Sequence, residues 1–319
     1  MSKILVLVVI FYSIVSCKED KIEDIDVSNI VVSLKVERFE EHFYNMNLES
    51  LQDLKKEFPF LFPKFTPDSI WLQKSNNKDE IELYDKSQQV FGDFQEEKNN
   101  IKNLFKHIKY YHPNFKSPKV ITLITDLDYT NKVIYADSLL FVGLDMFLGA
   151  GEKCYNDFPA YISRNFDKSQ LQVEIAKEIG LKYFHSGNKR QFIEILVDEG
   201  RKMFLLDAYL PQLTDNVKIG YSQKELSWAS ANESQIWKYF VENELLYSSD
   251  NKLSSRFIDK APFSKFFIDI DKESPGRIGI WLGWQIVRSY MKNNNVTLQQ
   301  LLQKDAEEIF KKSKYKPKK

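Results

Sequence analysis

The sequence predicts an α+β fold: a small mixed or antiparallel sheet in the N-terminal half, packed on a mainly helical C-terminal half. Two observations lead there. Short apolar segments with partial period-two alternation fall between residues 31 and 144. From Ser169 onward the apolar spacing turns helical and capping signatures recur. Strands that come first and helices that come after favour α+β over an alternating α/β arrangement.

The elements follow in order. Val31 to Val36 reads as a first strand. Leu51 to Phe58 reads as a short helix that stops at Pro59, because the residue before a proline avoids the helical region. Ser87 to Ile108 reads as one long helix, with Val90, Phe94, Ile101, Leu104, Phe105 and Ile108 as its apolar positions. Lys119 to Thr125 is a strand, Asp126 to Asn131 a turn, and Lys132 to Asp137 and Ser138 to Leu144 two further strands. Ser169 and Gln172 have capping-box spacing and open a helix from Gln170 to Phe184, striped by Leu171, Ile175 and Ile179. Lys189 to Leu206 is a second helix of this half. Ser222 with Glu225 opens a third, Arg277 to Met291 is a fourth, and Thr297 to Lys311 a fifth. The lysine-rich run from Lys311 to the C-terminus reads as a frayed end.

The N-terminus carries an address. Met1-Ser2-Lys3 is followed by an almost unbroken apolar run from Ile4 to Ile14. That run is shorter than the roughly 20 residues of a spanning helix and fits the roughly 7–15 residues of a signal-peptide core. It ends in Ile14-Val15-Ser16-Cys17, the lipobox order of an aliphatic, a small residue and a cysteine. The reading is a bacterial lipoprotein cut before Cys17 and lipidated there, with residues 1–16 removed. Residues 17–28 then form a charged tether too polar to build a core, and residues 29–319 a single α+β domain. Two acyl chains suffice for stable attachment, at about 0.8 kcal/mol per buried CH₂. The body is expected outside the cytoplasm, on the periplasmic side, with surface exposure left open.

Lys+Arg and Asp+Glu both number 45. That balance argues against a nucleic-acid partner, which rewards a basic surface. Once Cys17 carries lipid, Cys154 stands alone, so no intramolecular disulfide forms, and a lone cysteine is more often inert than nucleophilic. His107 and His112, with Asp126 or Asp128, could hold a metal; loop and helix-end roles explain them better. Asp126-x-Asp128 opens like a calcium loop but lacks the later glycine and the bidentate glutamate. No hydrolase, phosphate-loop or dinucleotide motif occurs, and no cofactor is expected. Trp71, Trp228, Trp237, Trp281 and Trp284 could line a sugar-binding face, although aromatics at helical spacing usually belong to the core. Glu233 and Glu242 could be cast as a carboxylate pair, although acidic residues on a helix are usually its solvated face.

Aromatic and Pro/Gly-rich runs are the distinctive part of the chain. They include Phe58 to Pro63, Tyr110 to Phe115, Gly220-Tyr221-Ser222 and, most specific, Ala261 to Phe266 followed by Ser274 to Gly279 and Trp281 to Met291. With the lipobox, these resemble the GldB family of gliding-motility lipoproteins over nearly the whole mature chain. The resemblance implies a role in surface gliding and in its associated secretion machinery, with the other proteins of that apparatus as partners. It carries no established catalytic residues.

A more distant resemblance is to gluzincin-type zinc peptidases, which place His-Glu-x-x-His on one helix and a third, acidic ligand on the next. Here Val173 and Lys177 stand where the histidines would be, Glu174 matches the general base, and Asp198-Glu199-Gly200 falls where the third ligand would sit. The resemblance implies a degenerate zincin-like site without metal. Glu174, Lys177 and Glu199 are then expected to cluster between two packed helices, with the lysine in place of the ion.

Overall fold

A computed structural model of the chain describes residues 25–187, 189–268 and 271–318. Cys17 and most of the charged tether lie outside them. Four strands form one mixed sheet: β1 (Lys35–Arg38), β2 (Lys119–Leu123), β3 (Val133–Ala136) and β4 (Leu139–Gly143), in the order β1-β2-β4-β3. β1 runs parallel to β2, and β2 parallel to β4; β3 pairs antiparallel with β4 through the turn at Asp137, which takes φ 49°. The fold is α+β, as the spacing predicts.

Successive side chains of β2 and β4 point to opposite faces. Val120, Leu140 and Val142 enter the main core, which runs from Val32 to Ile309. Ile121 on the other face meets an aromatic cluster of Phe39, Phe43, Phe58 and Phe62, with Leu123 and Phe141 packed beside it. The sheet is therefore covered on both sides. Phe58 to Pro63 is the cap of its outer face.

The predicted helix over residues 87–108 is two helices, Lys78–Phe91 and Gln95–Tyr111. Gly92 at φ 50° and Phe94 at φ 60° turn the chain between them, a conformation that ends a right-handed helix. The predicted helix over 297–311 is likewise split, into Leu298–Gln303 and Ala306–Ser313, where Asp305 caps the second by accepting from the Glu308 N–H. Ser169 does not cap its helix. Asp167 accepts from the Ser169 N–H, a short 3₁₀ turn follows, and the helix runs Leu171–Leu181. The capping box at Ser222 forms as expected, with each partner bonding the other's backbone N–H. The chain past Lys311 is not frayed as far as Tyr315: that ring packs edge-on against Trp237, and its hydroxyl donates to Glu233 at 2.7 Å. Val27 is buried, and Lys106 and Lys109 donate to the carbonyls of Ser28 and Val31. Residues 27–32 thus lie along the Gln95–Tyr111 helix.

The helices Phe192–Tyr209 and Ile278–Asn293 cross at backbone contact. A Cβ at Gly283 would lie 1.8 Å from the Leu196 carbonyl oxygen, and one at Gly200 2.2 Å from the Gly283 carbonyl oxygen. Only glycine fits either position. Gly283→Ala should therefore destabilise the protein by about 2–3 kcal/mol or more, because backbone must move. Gly151→Ala, with open space around the new methyl group, should stay within about 0.5 kcal/mol of the wild type in urea unfolding. Equal stability of the two variants would refute the tight crossing.

Candidate functional site

The strongest concentration of polar chemistry is a narrow cleft, ≈ 470 Å³ counting its open mouth, on one side of the Leu171–Leu181 helix. Its construction begins at the end of β2. Asp126 and Leu127 both take left-handed φ values of 58° and 60°. The fully buried carboxylate of Asp145 holds them there, accepting from Thr125 N at 2.9 Å and Leu127 N at 2.7 Å. Burial pushes the Asp145 carboxyl up from the usual range, and these backbone donors oppose the rise. The loop so fixed delivers Tyr129 and Lys132 to the cleft.

The opposite wall comes from far along the chain. Ala261 packs its carbonyl where a Cβ of Gly276 would sit, 2.1 Å away. The Ser264 hydroxyl donates to Pro275 O at 2.7 Å and accepts from Ile278 N at 3.1 Å, closing the start of the Ile278–Asn293 helix. Tyr221 donates to Gly276 O at 2.7 Å. Arg277, left-handed at φ 61°, then turns into the cleft and donates to Ile219 O. The runs Gly220-Tyr221 and Ala261 to Gly279 thus have a local purpose: they hold Lys260 and Arg277 beside each other.

The lining is cationic. Lys132, Arg164, Lys177, Lys260 and Arg277 line the cleft with a single carboxylate, Glu174. Glu174 accepts from Lys177 at 2.9 Å and Lys132 at 3.0 Å. Burial alone would raise its pKa, but the two ammonium groups pull it well below the usual carboxylate range. Glu225, outside the cleft, pairs with Arg164 at 2.6 Å. Among the described residues, Lys260 and Arg277 have no acidic partner. The Lys260 ammonium donates to the Tyr129 hydroxyl and stands 4.6 Å from that ring's centre. Burial first, then repulsion from Lys132 and Arg277 against the pull of Glu174, pushes Lys260 down to about 8. Lys177 is also lowered: burial outweighs the pull of Glu174, and Arg277 and Lys132 add to the fall.

Sequence reasoning singled out two of these residues, Glu174 and Lys177, and the structure brings them together. It does not bring Glu199 to them. Glu199 pairs with Lys202 on its own helix at 2.7 Å, and Lys202 lies over Phe184. Val173 is fully buried in the core. The expected three-member cluster between the helices is not formed, because Glu199 leaves the crossing face that Gly200 occupies. Asp198, its neighbour, is buried and accepts from Lys189 at 3.0 Å and from Arg201. The Asp198-Glu199-Gly200 run is thus a packing and ion-pair motif.

The other candidates resolve into structural roles. His112 stacks on Tyr183 with ring centres 3.6 Å apart, its Nε2 lies 2.6 Å from the Tyr209 hydroxyl, and burial lowers it to about 4. His107 Nδ1 lies 3.0 Å from Asn103 O. Asp128 accepts from the backbone of Thr130 and Asn131 and so shapes its own turn. Burial and then Glu152 raise the Cys154 thiol, which disfavours its thiolate form. Trp281 and Trp284 are 2% and 0% exposed, so neither can present a face to a sugar. Glu233 is buried against Tyr315 and is not on a solvated face. Among the described residues no group of three or more His, Cys, Asp or Glu side chains is placed to hold a metal ion.

The two partners of Glu174 differ in exposure, which yields a test. Lys132 is 10% exposed and Lys177 35%. Lys177→Ala should cost less than about 1 kcal/mol, since Glu174 keeps Lys132. Glu174→Gln strands Lys132 among the cleft's four other cations and should cost about 2–3 kcal/mol, near the range for breaking a buried pair. Urea unfolding of the two variants decides it; a Lys177→Ala loss as large as that of Glu174→Gln would refute the assignment.

No curated protein and no solved structure matches the chain significantly. The family model described as gliding motility protein GldB matches residues 20–317, a span that includes every residue of the cleft. The chain is a member of the GldB family of gliding-motility lipoproteins.

Proposed function

We propose that the protein is a lipid-anchored, non-catalytic component of the gliding apparatus, working with the secretion machinery associated with it. The observation that carries this reading is the family match over residues 20–317. The lipobox at Ile14 to Cys17 supplies the anchor, with acyl chains on the Cys17 thiol. No helix among the described residues is long and apolar enough to cross a membrane, and an acylated Cys17 makes none necessary. The non-catalytic reading is supported by what occupies the positions that the distant peptidase resemblance would assign to zinc ligands. Val173 is core, and Lys177 spends its charge on Glu174.

The body then acts by binding and positioning in the cell envelope. Cys17→Ala tests the reading as a whole. The variant should incorporate no labelled palmitate, leave the membrane fraction, and fail to restore spreading in a gliding strain that lacks the wild-type protein. Palmitate incorporation that survives the substitution would overturn the anchor. Full spreading by an unlipidated protein would overturn the anchored role in gliding.

A further inference from the structure

The cationic cleft has more positive charge than the fold itself balances. Of its five cations, Lys132 and Lys177 share Glu174, and Arg164 has Glu225. Lys260 and Arg277 face the same space with no acidic partner among the described residues. Gathering like charges in a cleft is unfavourable: burial first, and then the neighbouring cations, lower the Lys260 and Lys177 ammonium groups. Loose surface lysines would relieve it by swinging into solvent. These do not. Lys132 is 10% exposed, between the rings of Tyr129 and Phe147. Lys260 is exposed at the cleft mouth, and its ammonium is held there by its bond to Tyr129, which reaches the cleft from the loop fixed by Asp145. Arg277 is held in a left-handed backbone conformation, unusual for a residue other than glycine, by the turn that follows Gly276. Such strain persists where the surroundings impose it, and it clusters at binding sites.

We propose that this cleft binds a phosphate monoester group, with Arg277 and Lys260 as its principal ligands and Lys177 and Lys132 as supporting charges. The chemistry selects the ligand. Two spare positive charges match a dianion, which a phosphate monoester is near neutral pH and a simple carboxylate is not. A guanidinium offers a planar fork to two phosphoryl oxygens, and an ammonium adds a point charge from a second direction. Tyr129 and Tyr161 line the same cleft, and the Tyr129 hydroxyl, bonded by Lys260, is a further polar group at it. The narrow void admits a small head group and not a folded partner. That group can belong to a soluble phosphate ester or to the head of a lipid, and this binding is independent of how the protein serves gliding.

The test is calorimetric titration of the full-length protein, in detergent, with inorganic phosphate and with water-soluble short-chain phosphatidic acid. Saturable binding of either should weaken about tenfold or more in Arg277→Gln and in Lys260→Gln. Lys116→Gln, an exposed lysine outside the cleft, should leave it unchanged. Lys260 is at the cleft rim, so its variant remains folded even where Arg277→Gln disturbs the turn; circular dichroism checks both. Tighter binding of phosphatidic acid than of phosphate identifies a lipid head group as the source, and equal binding a soluble ester. No saturable binding up to about 10 mM of either probe, or equal weakening by all three substitutions, would overturn the proposal.

Discussion

One buried carboxylate holds the helical half together. Asp207 is fully buried and accepts four hydrogen bonds: from Lys218 Nζ at 2.9 Å, Trp284 Nε1 at 2.7 Å, and Arg288 Nε and Nη2 at 2.8 and 2.7 Å. An isolated charge at such a depth would be prohibitive; one met by two cations and an indole N–H is tolerable. Arg288 is itself shared, with a second, two-pronged contact to Asp215 at 2.6 and 2.8 Å, and its guanidinium lies 3.8 Å from the Trp284 ring centre. Burial disfavours its charge, but Asp215 and Asp207 reverse that and hold Arg288 above its ordinary range. The carboxylate thereby ties the Phe192–Tyr209 helix to the Ile278–Asn293 helix and to the Asp215–Ile219 turn of helix.

The cleft depends on this tie. Asp207 anchors Lys218, the residue before Ile219, and Ile219 O is the acceptor that orients Arg277. Gly200 and Gly283 let the two long helices approach to backbone contact, which brings Trp284 within reach of Asp207. On the sheet side, Asp145 does for Tyr129 and Lys132 what Asp207 does for Arg277. Two buried acids, neither in the cleft, thus set the positions of the cations that line it. The fold can afford the resulting repulsion only because each cationic stem is packed or bonded in place.

Periodicity and caps made much of this fold legible. The three strands of residues 119–144, the Ser222 capping box and the core placement of Trp281 and Trp284 all follow from spacing and residue type. Helix breaks were legible only locally: Gly92 and Asp305 were visible in the sequence but were outweighed by apolar spacing on either side. The Tyr315 contact was missed because a run of lysines reads as solvated whatever aromatic it contains. Asp207 was missed for a related reason, since an acid near the end of a helix reads as a surface residue until its three partner side chains are brought to it. The cleft was legible only at Glu174 and Lys177, which share a helix face. Its other cations, Lys132, Arg164, Lys260 and Arg277, come from segments far apart in the chain and are joined only by tertiary structure. The peptidase resemblance drew attention to the right helix and the wrong partner, because Glu199 and Lys177 each pair within their own helices.

The central claim is that the Asp207 carboxylate holds the packing on which the rest relies. Urea unfolding of Asp207→Asn measures it most directly. The amide keeps the shape but removes the charge and turns a donor toward groups that can only donate. A fall of about 3–5 kcal/mol in unfolding free energy, with the denaturant slope unchanged, is the predicted result. A fall of less than about 1 kcal/mol, the scale of an exposed ion pair, would contradict it.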